Sequence, residues 1–202
     1  MSQQTIKFPV VTTDTLLKQG ADFQTINHLL DQKKIVRIKR GFYISSEALL
    51  HPHLAAFEAF PLAMYCLLSS AYLFGYLKQE PPLVYIAASK KESRKKYRSK
   101  VLPLKSMTRD DKYYDLGKSV VVVNNRTIHT TDRERTILDC IRHSDLIGIE
   151  AYGQVLMGYI QDENKNVKQL VEYAKQMRLT QKVILIFKPW LKNELMSHLE
   201  SI

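Results

Sequence analysis

The sequence predicts an α+β chain in two parts, residues 1–46 and residues 47–202. Three observations lead there. The stretch FQTINHLLDQKKIVRIKRGFYI (23–44) changes from helical to strand-like spacing of its apolar residues inside a run of positive charge. Apolar runs rich in valine and isoleucine, such as LVYIAAS (83–89) and SVVVV (119–123), lie next to proline- or asparagine-containing breaks. The C-terminal third reads as a series of helical segments, the first opened by a cap signature. With 202 residues, 45% of them hydrophobic, and only seven glycines and seven prolines, the chain has the material for a real core.

The formal net charge is +10, and where it sits is more informative than its size. Residues 1–46 hold seven Lys/Arg against three Asp/Glu, and residues 87–105 hold eight against one. The rest of the chain has fifteen basic and sixteen acidic residues. The excess is therefore confined to two short segments, a pattern suited to a polyanionic partner.

Val10 and Val11 suit a short strand, and Thr12 or Thr13 can cap the helix that follows by accepting a backbone N–H. Leu16 and Leu17 form its expected inner face, and Gly20 supplies the left-handed residue that ends it. A second helix spans about Asp22 to Gln32, with Phe23, Ile26, Leu29 and Leu30 inward and Gln24, Asn27, His28 and Asp31 outward. After Ile35 the period becomes two: Val36 and Ile38 alternate with Arg37 and Lys39, Arg40-Gly41 turns the chain, and Phe42–Ile44 return it. Two helices joined around a glycine and followed by a basic hairpin predict a winged helix-turn-helix. Its recognition helix would offer Gln24, Asn27 and His28, with Thr25 at the edge of the face, to base edges. Lys33, Lys34, Arg37, Lys39 and Arg40 would clamp phosphates.

Residues 47–60 read as a partly helical connector in which His51 and His53 flank a proline with no third metal ligand in view, so no metal site is expected. Pro61–Leu77, the most apolar stretch, includes Ser69, Ser70 and Gly75, and falls short of the about 20 uniformly apolar residues of a membrane span. It is read as one buried core helix opened by Pro61. Cys66 and Cys140 sit in apolar settings and read as reduced core thiols of a cytoplasmic protein, and the N-terminus lacks the pattern of a secretory signal. Strands are expected at 83–89 and 101–107, which form a small antiparallel sheet with a hairpin over 119–131 that turns at Asn124-Asn125.

Between the first two of these strands lies KKESRKKYRSK (90–100), with seven basic residues in eleven. Like charges at that density repel unless they meet a counterion. Lys90, Lys91, Arg94, Lys95, Lys96, Arg98 and Lys100 therefore form a second expected nucleic-acid contact, with Tyr97 placed to stack or hydrogen-bond on a sugar-phosphate backbone. Thr131 and Glu134 have capping-box spacing, so a helix should begin at Asp132, with Arg135 and Asp139 paired four residues apart and Ile137, Leu138 and Ile141 facing the core. Further helices are expected over 148–160, 167–177 and 180–202, the last interrupted near Pro189.

The blocks KIVRIKRGFYI, LLSSAYLFGYL with PPLVYIA, and TDRERTILDCI with a glycine near 148, in this order, resemble the AbiEi-type antitoxins of bacterial abortive-infection (type IV) toxin–antitoxin systems. The likeness covers most of the chain. It implies an N-terminal winged helix that represses its own operon at inverted repeats in double-stranded DNA. It also implies a C-terminal domain that counters a nucleotidyltransferase toxin, generally without a stable toxin complex. The family's Arg-Thr-x-x-Asp block falls on Arg135, Thr136 and Asp139, with a structural or antitoxic role. Relatives often have a longer first helix than the residues before Val10 allow, so that domain is either trimmed or has the Val10–Val11 strand in the helix's place.

Two other functional classes fit less of the sequence. A stand-alone DNA-binding regulator would only repress, with no toxin partner, and a neighbouring nucleotidyltransferase gene would distinguish it from an antitoxin. A nuclease would need clustered carboxylates, but Glu134 and Asp139 are five residues apart and so on different helix faces, and no strand carries an acidic pair. No P-loop, G-x-S-x-G or zinc spacing is present, so neither catalysis nor a cofactor is expected.

Overall fold

Threonine and aspartate caps set the path of the chain at its start. The computed structural model describes residues 10–46, 51–91, 97–123 and 125–199. Strand β1 (Val10–Thr12) runs straight into helix α1 (Thr13–Lys18) because the Thr12 hydroxyl accepts the Thr15 N–H at 3.2 Å. Gly20, at φ +90°, turns the chain toward α2 (Phe23–Asp31), where the Asp22 carboxylate accepts the Thr25 N–H at 2.7 Å. Strands β2 (Ile35–Lys39) and β3 (Phe42–Ser45) follow as a hairpin and, with β1, make an antiparallel sheet in the order β1-β3-β2. Ile44 pairs with Val10 on one side and Val36 on the other and is fully buried. Phe23, expected on the inner face of α2, is instead 65% exposed. It stands at the first helical residue, the end of α2 farthest from the turn into β2, while Ile26 is buried.

The remaining elements are α3 (Pro52–Ala59), β4 (Met64–Tyr65), α4 (Leu68–Leu73), β5 (Val84–Ser89), β6 (Leu104–Arg109), α5 (Asp111–Tyr114), β7 (Lys118–Val123) and β8 (Arg126–Thr131). Helices α6 (Arg133–Arg142), α7 (Ile149–Gln161), α8 (Val167–Gln176) and α9 (Thr180–Leu199) complete the chain, with a 3-10 turn at Ser144–Leu146 and a kink in α9 at Leu191, just past Pro189. The described residues thus form an α+β fold with a three-stranded antiparallel and a five-stranded mixed sheet.

Three expectations need correction. The larger sheet, ordered β6-β5-β4-β8-β7, is mixed rather than antiparallel, because β5/β6 and β4/β8 run parallel. The segment between Ser89 and Leu104, the basic run included, is long enough for the crossover that a parallel pair requires. Second, 61–77 is not one helix: Met64 and Tyr65 form the central strand between β5 and β8, and Leu67, at φ +50°, reverses the chain before α4. Every residue from 63 to 71 is buried, so no amphipathic period survives to tell strand from helix. Third, the cap of α6 is Asp132, whose carboxylate accepts the Arg135 N–H at 2.7 Å; Thr131 belongs to β8, and Glu134 turns inward.

Strand β5 shows how the layers stack. Tyr85 and Ala87 face a core of helices α4 and α6–α9, while Val84, Ile86 and Ala88 face a second core that contains α3 together with Ile38 and Ile44 of the small sheet. The N-terminal unit is therefore packed onto the mixed sheet rather than hung from it, and the Ser99 hydroxyl donates to the Ile38 carbonyl across that junction at 3.2 Å. Cys66 and Cys140 are free, buried thiols. No helix among the described residues is long and apolar enough to cross a membrane.

Candidate nucleic-acid interface

The outer face of α2 is solvent-facing along its length: Gln24, Thr25, Asn27 and His28 are all exposed. Thr25 is drawn into the Asp22 cap through its backbone N–H. His28 Nε2 lies 2.6 Å from the Gln32 side-chain nitrogen, an i,i+4 contact that orients the imidazole along the helix. Gln24 and Asn27 carry their amides on the same exposed surface.

The hairpin is positioned by its tip. Gly41, at φ +78°, closes the turn, and its carbonyl accepts the Thr13 N–H at 3.0 Å, which ties the turn to the start of α1. A bulge between Arg37 and Lys39 breaks the simple alternation. Ile38 is buried and Arg37 and Arg40 are exposed, as expected, but Lys39 does not point outward. Its ammonium lies 4.0 Å from the Phe42 ring centre and 4.6 Å from that of Phe60, and burial lowers its pKa. Lys33, Lys34, Arg37 and Arg40 are exposed, and no ion pair among the described residues involves them.

The second basic segment is less uniform than its sequence. Lys90 pairs with Asp110, and Lys91 pairs with Asp111 at 2.9 Å. Arg94, Lys95 and Lys96 lie outside the described residues. Tyr97, expected to stack on nucleic acid, is 5% exposed and meets Phe60 edge-on at 6.0 Å; it is a core residue, because the end of α3 supplies an aromatic wall that the local sequence does not reveal. Arg98 and Lys100 are exposed.

Arg135, Thr136 and Asp139 are brought together but away from solvent. Arg135 is 2% exposed; its Nε donates to Asp139 at 2.9 Å and its Nη1 to the carbonyls of Tyr113 and Leu116 at 2.8 and 3.1 Å. Burial lowers the Arg135 pKa, with the Asp139 charge opposing that shift. Arg109, from the end of β6, pairs with the other oxygen of Asp139. Thr136 joins a hydroxyl chain through Thr131 to Ser70, with 2.7 and 3.1 Å links. Sequence reading missed Arg109, since nothing local links it to a helix 30 residues on.

It also missed a second buried relay. The Glu80 carboxylate faces His53 Nδ1 at 3.0 Å and accepts the His53 backbone N–H at 2.8 Å, while His53 Nε2 meets the Ser69 hydroxyl at 2.9 Å. Ser69 also accepts the Tyr85 N–H at 2.8 Å and is fully buried, so this is a pin between α3, α4 and β5. Glu134 accepts the Asn166 N–H at 2.7 Å. No group of three or more His, Cys, Asp or Glu able to hold a metal occurs among the described residues. No protein-family model matches the chain, and no curated protein matches it.

Proposed function

We propose that this chain is a cytoplasmic transcriptional regulator that binds double-stranded DNA through a winged helix made of α1, α2 and the three-stranded sheet. The observation that carries the reading is the pairing of two surfaces on one unit. An exposed amide- and imidazole-bearing face of α2 stands beside a hairpin whose Arg37 and Arg40 are exposed and have no acidic partner among the described residues. Amides and imidazole suit base edges, and unpaired guanidiniums suit phosphates. The order β1-α1-α2-β2-β3, with β1 beside β3, supports the reading by placing α2 directly before the hairpin of one small sheet.

The reading is non-enzymatic. Each buried acid of α6 is already engaged, Glu134 by Asn166 and Asp139 by two guanidiniums. By its resemblance to AbiEi-type antitoxins, the chain represses its own operon, and its C-terminal domain counters a nucleotidyltransferase toxin. A stand-alone regulator is the alternative, distinguished by whether the chain rescues cells that express such a toxin.

The experiment is a mobility shift with the full chain and the DNA upstream of its own gene, against unrelated competitor duplex. Specific binding is expected. Alanine at Gln24, Asn27 or His28 should lose about 1–3 kcal/mol of discrimination at particular base pairs. Equal loss on every sequence, or no preference in the parent protein, would refute the proposed face.

A further inference from the structure

Where β6 ends against α6, a cavity of about 120 Å³ is lined by Arg109, Arg135, Asp139, Arg142, His143 and Cys66, among others. Its walls are positive. Two guanidiniums, Arg109 and Arg135, share the single carboxylate of Asp139. Arg142, exposed at the mouth, donates to the Met177 carbonyl and has no carboxylate partner among the described residues. The one other acid of the lining, Asp110, is matched by Lys90. Burial holds the His143 pKa down, which favours the neutral imidazole, and pushes the Cys66 thiol up to about 12, so neither adds a charge at neutral pH.

A second observation points to a ligand. The Arg109 side chain is 7% exposed, yet its Nη1 has no hydrogen-bond partner among the described residues. Buried charged donors are almost always satisfied, because stripping water from a guanidinium without replacing it is unfavourable. The volume holds several waters' worth of atoms but falls below the roughly 300 Å³ of a pocket that encloses a whole cofactor. Two uncompensated positive charges in so small a space match a dianionic tetrahedral group better than a monoanionic carboxylate.

We propose that this cavity is an oxyanion site that seats the phosphate of a phosphomonoester, with Arg109 and Arg142 as its donors and the rest of the ligand outside. The site stands apart from the α2 face and the hairpin and does not depend on their role. The phosphomonoester can be a free nucleotide or the 5′ end of a nucleic-acid strand, and competition distinguishes them.

The test is calorimetric titration of the full chain with inorganic phosphate, with acetate at matched ionic strength as the control. Saturable phosphate binding without acetate binding is expected. Arg109→Met, which leaves the Arg135–Asp139 pair intact, should weaken it by about tenfold or more, and Arg142→Gln by severalfold. Arg37→Ala with Arg40→Ala should leave it unchanged. Displacement of phosphate by adenosine monophosphate would identify a free nucleotide; displacement by a 5′-phosphorylated but not a 5′-hydroxyl oligonucleotide would identify a strand end. Absence of saturable binding, equal binding of acetate, or affinity that survives Arg142→Gln and Arg109→Met would overturn the proposal. Arg142→Gln lies at the exposed rim, so it decides the matter even where Arg109→Met fails to fold.

Discussion

Asp139→Asn tests the buried charge cluster most directly, because it keeps the shape of the side chain and removes only its charge and one acceptor. Asp139 is 6% exposed and Arg135 and Arg109 are 2% and 7% exposed, so water screens none of them well. Removing one partner from a buried pair typically costs about 3–5 kcal/mol, since the other charge is stranded. Here two guanidiniums depend on one carboxylate, and the new amide nitrogen would face one of them. Their losses share a partner and do not add, so the same range, about 3–5 kcal/mol, is expected. For a chain of this size that lowers Tm by roughly 6–20 °C.

Urea unfolding followed by far-UV circular dichroism measures it, with unchanged m as the sign that the folded state is otherwise intact. Arg109→Met supplies the contrast. It gives up the Arg109–Asp139 contact but leaves Asp139 paired with Arg135, and it also removes a guanidinium nitrogen that has no partner among the described residues, so its cost should be below about 2 kcal/mol. The reasoning fails if Asp139→Asn stays within about 1 kcal/mol of the parent, or if Arg109→Met proves the more damaging of the two.

Two further outcomes follow from single contacts. Gly117→Ala should destabilise by at least about 2 kcal/mol in the same urea assay, because Gly117 adopts φ +71° and an added Cβ would overlap the locked Arg135 side chain; a neutral result would show that the loop before β7 can shift. Burial lowers the His53 pKa below its usual 6.5, with Glu80 only partly opposing, so the unfolded chain takes up that proton at higher pH than the folded one. The stability this contributes is complete above pH 6.5 and is lost as pH falls from there through the folded value; His53→Gln should flatten the decline of Tm on that acid side, and an unchanged slope would show that His53 binds its proton equally in the folded and unfolded chains.

The N-terminal unit was legible because its signals are local. Thr12 and Asp22 cap within three residues, and Gly20 and Gly41 take the positive φ their turns require. Arg135 and Asp139 were legible for the same reason, being one helical turn apart. What was hidden depends on distant residues. Phe60, at the end of α3, draws Lys39 onto its face and Tyr97 against its edge, and so removes two expected nucleic-acid contacts. The central strand at Met64–Tyr65 is set by β5 and β8, not by its own pattern. Arg109 meets Asp139 across 30 residues of sequence, and His53 meets Glu80 across 27 and Ser69 across 16, separations that no local pattern encodes.

The same distinction divides the chain's positive charge. Lys90 and Lys91 have acidic partners in Asp110 and Asp111, and Lys39 has aromatic ones; a lysine beside a carboxylate is already partly neutralised, so it displaces fewer counterions when it meets a phosphate. Arg37 and Arg40 have no such partner among the described residues. Released counterions, not total charge, set the salt dependence of DNA affinity. Arg37→Ala and Arg40→Ala should each reduce the slope of log K against log salt by roughly 0.9, whereas Lys90→Ala and Lys91→Ala should leave it nearly unchanged despite removing the same formal charge. Equal effects from all four would mean that binding responds to net charge alone, and the hairpin would lose its claim as the phosphate clamp.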